Sequence, residues 1–135
     1  MDYARFESGL VSLLWENQVE SGFYHPAEGI IHKLLQENPE SAHQYIKDAL
    51  SQKQRYGDSI LMCLGRMDVH LISPWGYELA GEYLQHSKIS LREAAVNCLE
   101  QWGGAKAIDL LKSHQEEVPW LAQYCTQVVR DLESL

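Results

Sequence analysis

The sequence predicts an all-α protein made of stacked antiparallel helix pairs, an α–α superhelix of about eight helices. Apolar residues recur at spacings of three and four, which is the period of an amphipathic helix. Glycine and proline interrupt these segments at regular intervals, and no segment shows the strict apolar–polar alternation of a strand. Short links between consecutive segments favour antiparallel neighbours.

The first four predicted helices begin after a turn or a proline. A helix over residues 2–17 opens the chain, and Pro26 fits the first position of a second helix, where its missing N–H breaks no hydrogen bond. Asn38-Pro39 repeats this arrangement for a third helix, and a break at 56–58 precedes the fourth. The predicted core positions of these helices are Tyr3, Phe6, Leu10, Leu13, Leu14, Ile30, Ile31, Leu34, Leu35, Ala42, Tyr45, Ile46, Ala49, Leu50, Ile60, Leu61, Leu64 and Met67.

Capping signals mark the predicted starts of the last four helices. Ser73-Pro74 has the pattern of an N-cap followed by a first-position proline, and Ser90 with Glu93 matches a capping box. Gly103-Gly104 separates the sixth helix from a short seventh, and Val118-Pro119 opens the last. Their predicted core positions are Trp75, Leu79, Ala80, Tyr83, Leu84, Leu91, Ala94, Ala95, Cys98, Leu99, Trp102, Ala107, Ile108, Leu111, Val118, Leu121, Ala122, Cys125, Val128, Val129 and Leu132.

The charge of the chain disfavours nucleic acid as a partner. The net charge is −8, and both the first 56 residues and the remainder are acidic, so the charge is not confined to a tail. Such a surface repels phosphate backbones and attracts basic proteins. The one basic cluster, Lys47, Lys53 and Arg55, follows a helix C-terminus, where the helix dipole accounts for it. The charge therefore predicts a basic protein partner.

The length, the hydropathy and the cysteines favour one intracellular domain. The chain has 135 residues, a common size for a single domain, and no apolar run of the length that a membrane helix needs. Its start lacks the pattern of a signal peptide, so a cytoplasmic location is expected. Cys63, Cys98 and Cys125 form no CxxC pair, and each lies in an apolar helical pattern. They are predicted to be small buried hydrophobic residues.

An internal repeat lies in the second half of the chain. The segments 63–68 and 98–103 share a small–apolar pair followed by an apolar residue three positions later, and they lie 35 residues apart. The segment 91–111 resembles a short-type HEAT repeat, whose pattern is roughly VRxAAxxALGxLGDxxAIxxL. The resemblance covers residues 57–132, which leaves 1–56 as divergent N-terminal helices of the same domain, 1–135.

The resemblance implies a solenoid that binds by shape and charge through a concave surface lined by second helices. The predicted helices that begin at Trp75 and Ala105 are second helices in this pairing. An acidic and aromatic strip on them is the candidate partner-binding surface, although solvated acids and tryptophans that only pack the helix entries are the alternative. The candidate residues are Trp75, Tyr77, Glu78, Glu82, Asp109, Glu116, Glu117 and Trp120.

No catalytic, cofactor or metal site is predicted. Glu40 and His43 form one Glu-x-x-His step, but a carboxylate-bridged di-metal site needs a second. Glu28 and His32 lie one helical turn apart without a further ligand nearby in the sequence. His114 ends a predicted helix, where a cation interacts favourably with the dipole.

These observations predict a non-catalytic protein-binding module. Its small size and negative charge suit an immunity or inhibitor protein that neutralises a basic toxin domain such as a nuclease. A structural subunit of a larger complex is one alternative. A bilin-lyase-like HEAT-repeat protein is the other, because short HEAT repeats also occur in bilin lyases.

Overall fold

A computed structural model of the chain describes residues 1–20 and 22–135, and within these residues every regular element is a helix. The predicted all-α class is thereby confirmed. A 3-10 turn at Gln54–Tyr56 leads into α4. The α-helices of the described residues are α1 (Tyr3–Glu16), α2 (Ala27–Glu37), α3 (Pro39–Gln52), α4 (Gly57–Gly65), α5 (Val69–Ile72), α6 (Trp75–Leu84), α7 (Ile89–Trp102), α8 (Gly104–Ser113) and α9 (Pro119–Glu133).

Helices that are close in the sequence pack on one another along the chain. Helices α1, α2 and α3 contact one another, and α2 and α3 also contact α4. Further along the chain, α4 packs on α7 and α7 packs on α9, while α6 and α8 contact each other and α7. Leu99 and Val128 are 0% and 1% exposed, so the periodic apolar positions of α7 and α9 do face the core. The buried side chains form one continuous cluster.

The closest helix contact joins α4 to α7. Gly65 lies against Cys98, and a β-carbon at Gly65 would come within 3.2 Å of the Cys98 α-carbon. The Cys98 thiol donates a hydrogen bond to the Leu61 carbonyl at 3.0 Å. The two helices can approach this closely because Gly65 has no side chain. Helices α4 and α7 are therefore closely packed beneath the surface that they form together.

The connection between α1 and α2 is tied down by His25 and Arg66. The buried His25 ring accepts a hydrogen bond from the Ala27 N–H through Nδ1, so its Nε2 is assigned as the donor to the Asn17 carbonyl at 2.8 Å. Arg66 donates to Glu28 Oε2 at 2.7 Å and to the Glu20 carbonyl. These bonds hold the end of α1 close to the end of α4.

Several predicted helix starts are wrong in detail. Lys88, in extended conformation, is the N-cap of α7, so Ser90 lies inside the helix and forms no capping bond; the predicted capping box is absent. Pro74, and not Ser73, immediately precedes α6, and no side chain caps that helix. Pro26 likewise precedes α2 instead of starting it.

One helix in the described residues has no counterpart in the prediction. Helix α5 is a single turn in the link between α4 and α6, and the Asp68 side chain caps it. Four residues are too few for an apolar period to be visible in the sequence.

Candidate functional site

A groove runs across the surface of α4, α7 and α9. Asp58 and Met62 of α4 line one wall, and they lie one turn apart on the side of the helix that faces the groove. Positions three, four and seven residues apart on α7 supply the facing wall, and Tyr124 of α9 closes it. This section of the groove has a volume of about 280 Å³. Its lining residues are Asp58, Met62, Ser90, Glu93, Ala94, Asn97 and Tyr124.

Tyr124 is held in place by an acidic neighbour. Its hydroxyl donates a hydrogen bond to Glu100 Oε1 at 2.8 Å, across the α7–α9 contact. Burial raises the pKa of the Tyr124 hydroxyl, and the Glu100 carboxylate raises it further. The phenol is therefore protonated at neutral pH and can donate its hydrogen bond to Glu100.

A second depression lies towards α1 and shares the lining residues Asp58 and Met62 with the first. The second section has a volume of about 470 Å³ and ends at Trp15, whose side chain is 69% exposed. The residues of this section are Leu14, Trp15, Gln18, Val19, Arg55, Tyr56, Asp58, Ser59 and Met62. We call the surface formed by both sections the groove face.

The groove face is acidic, with aromatic rings at both ends. Asp58 and Glu93 line it and Glu100 adjoins it, and none of these three carboxylates forms an ion pair with a residue of the described segments. Arg55 is the one cation among the described lining residues. Its guanidinium lies over the rings of Trp15 and Tyr56. The surface thus offers negative charge between apolar anchors.

The aromatic residues predicted for the partner-binding strip differ in their surroundings. Trp75 stacks on His43 of α3, with ring centroids 4.9 Å apart. Tyr77 packs edge-on against Trp102 and donates a hydrogen bond to the Gly103 carbonyl at 2.9 Å. Both rings are half-buried and join neighbouring helices. Trp120 differs from them, because it is exposed at the start of α9.

Glu116, also predicted to contact a partner, has its carboxylate in an internal network. Its side chain is 3% exposed and takes two hydrogen bonds from Arg92, at 3.0 and 3.1 Å. His114 Nε2 lies 2.9 Å from Oε1, and the Val118 N–H donates to Oε2. Burial alone would raise the pKa of this carboxyl, but the hydrogen bonds from Arg92, His114 and Val118 outweigh it and lower the pKa to about 2. Glu116 therefore stabilises the loop before α9 and has no oxygen free for a partner.

The remaining predicted acids lie on the surface. Glu78 and Glu82 of α6 and Asp109 of α8 are exposed, on two helices that contact each other. We call this the α6–α8 surface. These three residues line neither section of the groove. Glu117 is exposed in a separate shallow depression beside Arg92. The predicted strip is therefore divided between an exposed acidic surface and a buried ion-pair network.

The histidines and cysteines have structural surroundings. His43 stacks on Trp75, and Glu28 binds Arg66 and the His25 N–H. In residues 1–20 and 22–135, no group of three or more His, Cys, Asp and Glu side chains could hold a metal ion. All three cysteines are buried, as predicted, and burial raises the pKa of the Cys63 thiol to about 12. These thiols are therefore poor nucleophiles at neutral pH.

The groove residues could have been found in part from the sequence. Glu93, Asn97 and Glu100 recur at four and three positions on the polar side of the α7 stripe, which is the pattern of an exposed helix face. Glu93 also fits a capping box with Ser90, and that pattern explains Glu93 without assigning it to an exposed helix face. No sequence pattern predicts that Trp15 lines the groove, because α1 and α4 come together only in the folded chain.

In the part of the chain that the structure describes, no helix combines the length and apolar character needed to cross a bilayer. Comparison of the chain with protein-family models, with curated proteins and with solved structures finds no match.

Proposed function

We propose that this chain is a non-catalytic protein-binding module that docks a basic segment of its partner on the groove face. The observation that carries the proposal is the pair of adjoining depressions between Trp15 and Tyr124, lined by the carboxylates of Asp58 and Glu93, which form no ion pair within residues 1–20 and 22–135. Exposed tryptophan and tyrosine are the residues that most often anchor protein interfaces. Unpaired carboxylates add charge complementarity to a basic partner and speed its encounter.

We also infer a HEAT-like arrangement of helix pairs. The contacts of α4, α7 and α9 in succession support one row of helices, and the contacts of α6 and α8 with each other and with α7 support a second row. In such a solenoid one row presents an extended surface for binding. We assign recognition to the row of α4, α7 and α9, because the depressions between Trp15 and Tyr124 lie along it, and not to the α6–α8 surface.

The most specific form of the proposal is an inhibitor that masks a basic toxin domain. The net charge of −8 on 135 residues supports it, because an acidic inhibitor of this size can cover a basic active-site cleft. In this form the partner's basic cleft lies over the groove face, and the complex is stoichiometric.

Site-specific photocrosslinking tests the proposal. A photoreactive phenylalanine analogue replaces Asn97, in the groove, or Glu82, on the α6–α8 surface, and each variant is irradiated in extract of the source cell. We expect the Asn97 variant to capture a protein through a lysine- and arginine-rich segment that mass spectrometry can identify. Capture of a protein through the Glu82 variant, with none captured through the Asn97 variant, would locate binding on the α6–α8 surface and contradict the proposal.

A further inference from the structure

The end of the groove near α1 holds a cation between two aromatic rings. The guanidinium carbon of Arg55 lies 5.4 Å from the centroid of the Trp15 ring and 5.2 Å from that of Tyr56. Both distances are within the range of a cation–π interaction. Trp15 nevertheless remains 69% exposed, so much of its surface is still accessible to another group.

Arg55 makes this contact in place of an ion pair. In the described ranges its side chain pairs with no carboxylate, whereas Lys53, two residues earlier, lies 3.6 Å from Glu7. A carboxylate, that of Asp58, lines the same depression as Arg55 without pairing with it. The position of Arg55 shows that the two rings together form a surface on which a guanidinium rests.

We propose that Trp15 and Tyr56 form a binding site for a cationic side chain of the partner, and that Arg55 occupies this site while the protein is free. The inference rests on the proposed function, because it identifies the chemistry of the group that the groove takes at this end. Asp58 lines the same depression as Trp15, while Glu7, in a neighbouring depression, already pairs with Lys53 and accepts a hydrogen bond from the Tyr3 hydroxyl. An incoming arginine or lysine therefore meets aromatic faces with the Asp58 carboxylate in the same depression.

Arg55 acts in this scheme as an internal competitor. Its side chain is exposed and unpaired with any carboxylate of the described ranges, so it can move into solvent without leaving a buried charge behind. The partner's cation must displace Arg55 before the two rings are available. The apparent affinity for the partner is therefore reduced by the fraction of the protein in which Arg55 covers the rings. This site also sets the direction in which the partner's basic segment lies along the groove face. One cationic side chain contacts Trp15 and Tyr56, and the following cationic side chains lie near Asp58 and Glu93.

A peptide titration with a matched pair of variants tests the proposal. The probe is acetyl-Arg-Ala-Arg-Ala-Arg-amide, added to the ¹⁵N-labelled full chain while the tryptophan indole N–H resonances are followed. The Trp15 resonance is identified with the Trp15→Phe variant. Arg55→Ala is compared with Arg5→Ala, which removes an exposed arginine from the start of α1 and changes the net charge equally.

We expect the peptide to shift the Trp15 indole resonance and to bind Arg55→Ala about two- to fivefold more tightly than Arg5→Ala, the change that one exposed cation–π contact is worth. Trp15→Leu, at the same exposed position, should weaken binding by a similar factor. Equal or weaker binding by Arg55→Ala than by Arg5→Ala overturns the cation site. If Asn97 and Tyr124 resonances still respond in that case, the groove remains the docking surface. Absence of any response at the groove and at Trp15 overturns both proposals.

Discussion

The groove face and the α6–α8 surface are both acidic, but they differ in shape and in what lies between the charges. On the groove face, Asp58 and Glu93 line two adjoining depressions that also contain Trp15 and Tyr124. On the α6–α8 surface, Glu78 and Glu82 are exposed outside those depressions. Charge alone therefore does not distinguish the two surfaces, whereas concavity and aromatic anchors do.

A second contrast separates surface acids from acids that hold the fold together. Glu116 and Glu117 are adjacent in the sequence and were both predicted to contact a partner. Glu116 is enclosed by Arg92, His114 and the Val118 N–H, while Glu117 is exposed. Adjacent acids of the same type thus have different roles, and variants at the two positions should separate stability from binding.

The largest predicted effect is on stability, at Glu116. Glu116→Ala leaves the 13%-exposed Arg92 side chain without its carboxylate partner, so we expect the free energy of unfolding to fall by about 3 kcal/mol. Glu117→Ala, at the exposed neighbour, should change it by less than about 0.5 kcal/mol. Urea denaturation followed by circular dichroism measures both values. Equal effects of the two substitutions would show that the Arg92–Glu116 network does not stabilise the fold.

Gly65 tests the close contact beneath the groove. A β-carbon there would meet the Cys98 α-carbon at 3.2 Å and its sulfur at 3.3 Å, so Gly65→Ala should lower the free energy of unfolding by about 2 kcal/mol. Gly9→Ala is the control, because its β-carbon would have an ordinary contact with Ile30 at 3.5 Å. Inside α1 that substitution should stabilise the chain by about 0.5–1 kcal/mol. A neutral or stabilising Gly65→Ala would mean that α4 and α7 are not closely packed.

The pH dependence of stability sharpens the contrast at Glu116. Its pKa is about 2 in the folded chain, against an ordinary value of 4.5, so between these values the unfolded chain binds more protons. The stabilisation from Glu116 is therefore complete above about pH 4.5 and is lost as the pH falls towards 2. Thermal unfolding from pH 6 to pH 2 should show a wild-type advantage over Glu116→Gln that shrinks across this window. A constant difference between the two proteins would contradict the assignment.

The helices were predictable from the sequence, while the site was predictable only in part. Leu99 in α7 and Val128 in α9 each belong to an apolar stripe with the period of a helix. Such a period involves only residues close in the sequence, so it can be recognised without the folded structure. The helix starts were less predictable. Ser90 matches a capping pattern, but Lys88, whose backbone is extended, is the N-cap, and α7 begins at Ile89. A side-chain motif therefore identified the region of the start but not the capping residue.

The roles of individual acids depended on contacts that are distant in the sequence. Glu116 is buried because Arg92, 24 residues earlier, reaches it from α7. Trp15 joins the groove because α1 ends beside α4, where Arg66 ties the α1–α2 connection to α4. Neither contact leaves a periodic signal, so composition could predict an acidic binding surface but not its location.

Peptide affinity in two matched double variants tests the central claim most directly. Asp58→Lys with Glu93→Lys reverses two charges on the groove face, and Glu78→Lys with Glu82→Lys reverses two on the α6–α8 surface. Asp58 and Glu78 each lie in the first turn of a helix, so each pair includes one acid that interacts favourably with a helix dipole. Isothermal titration with the arginine peptide should show at least about a tenfold loss of affinity for the groove pair and less than about a threefold loss for the other. Equal losses, or a larger loss for the α6–α8 pair, would contradict the assignment of recognition to the groove face.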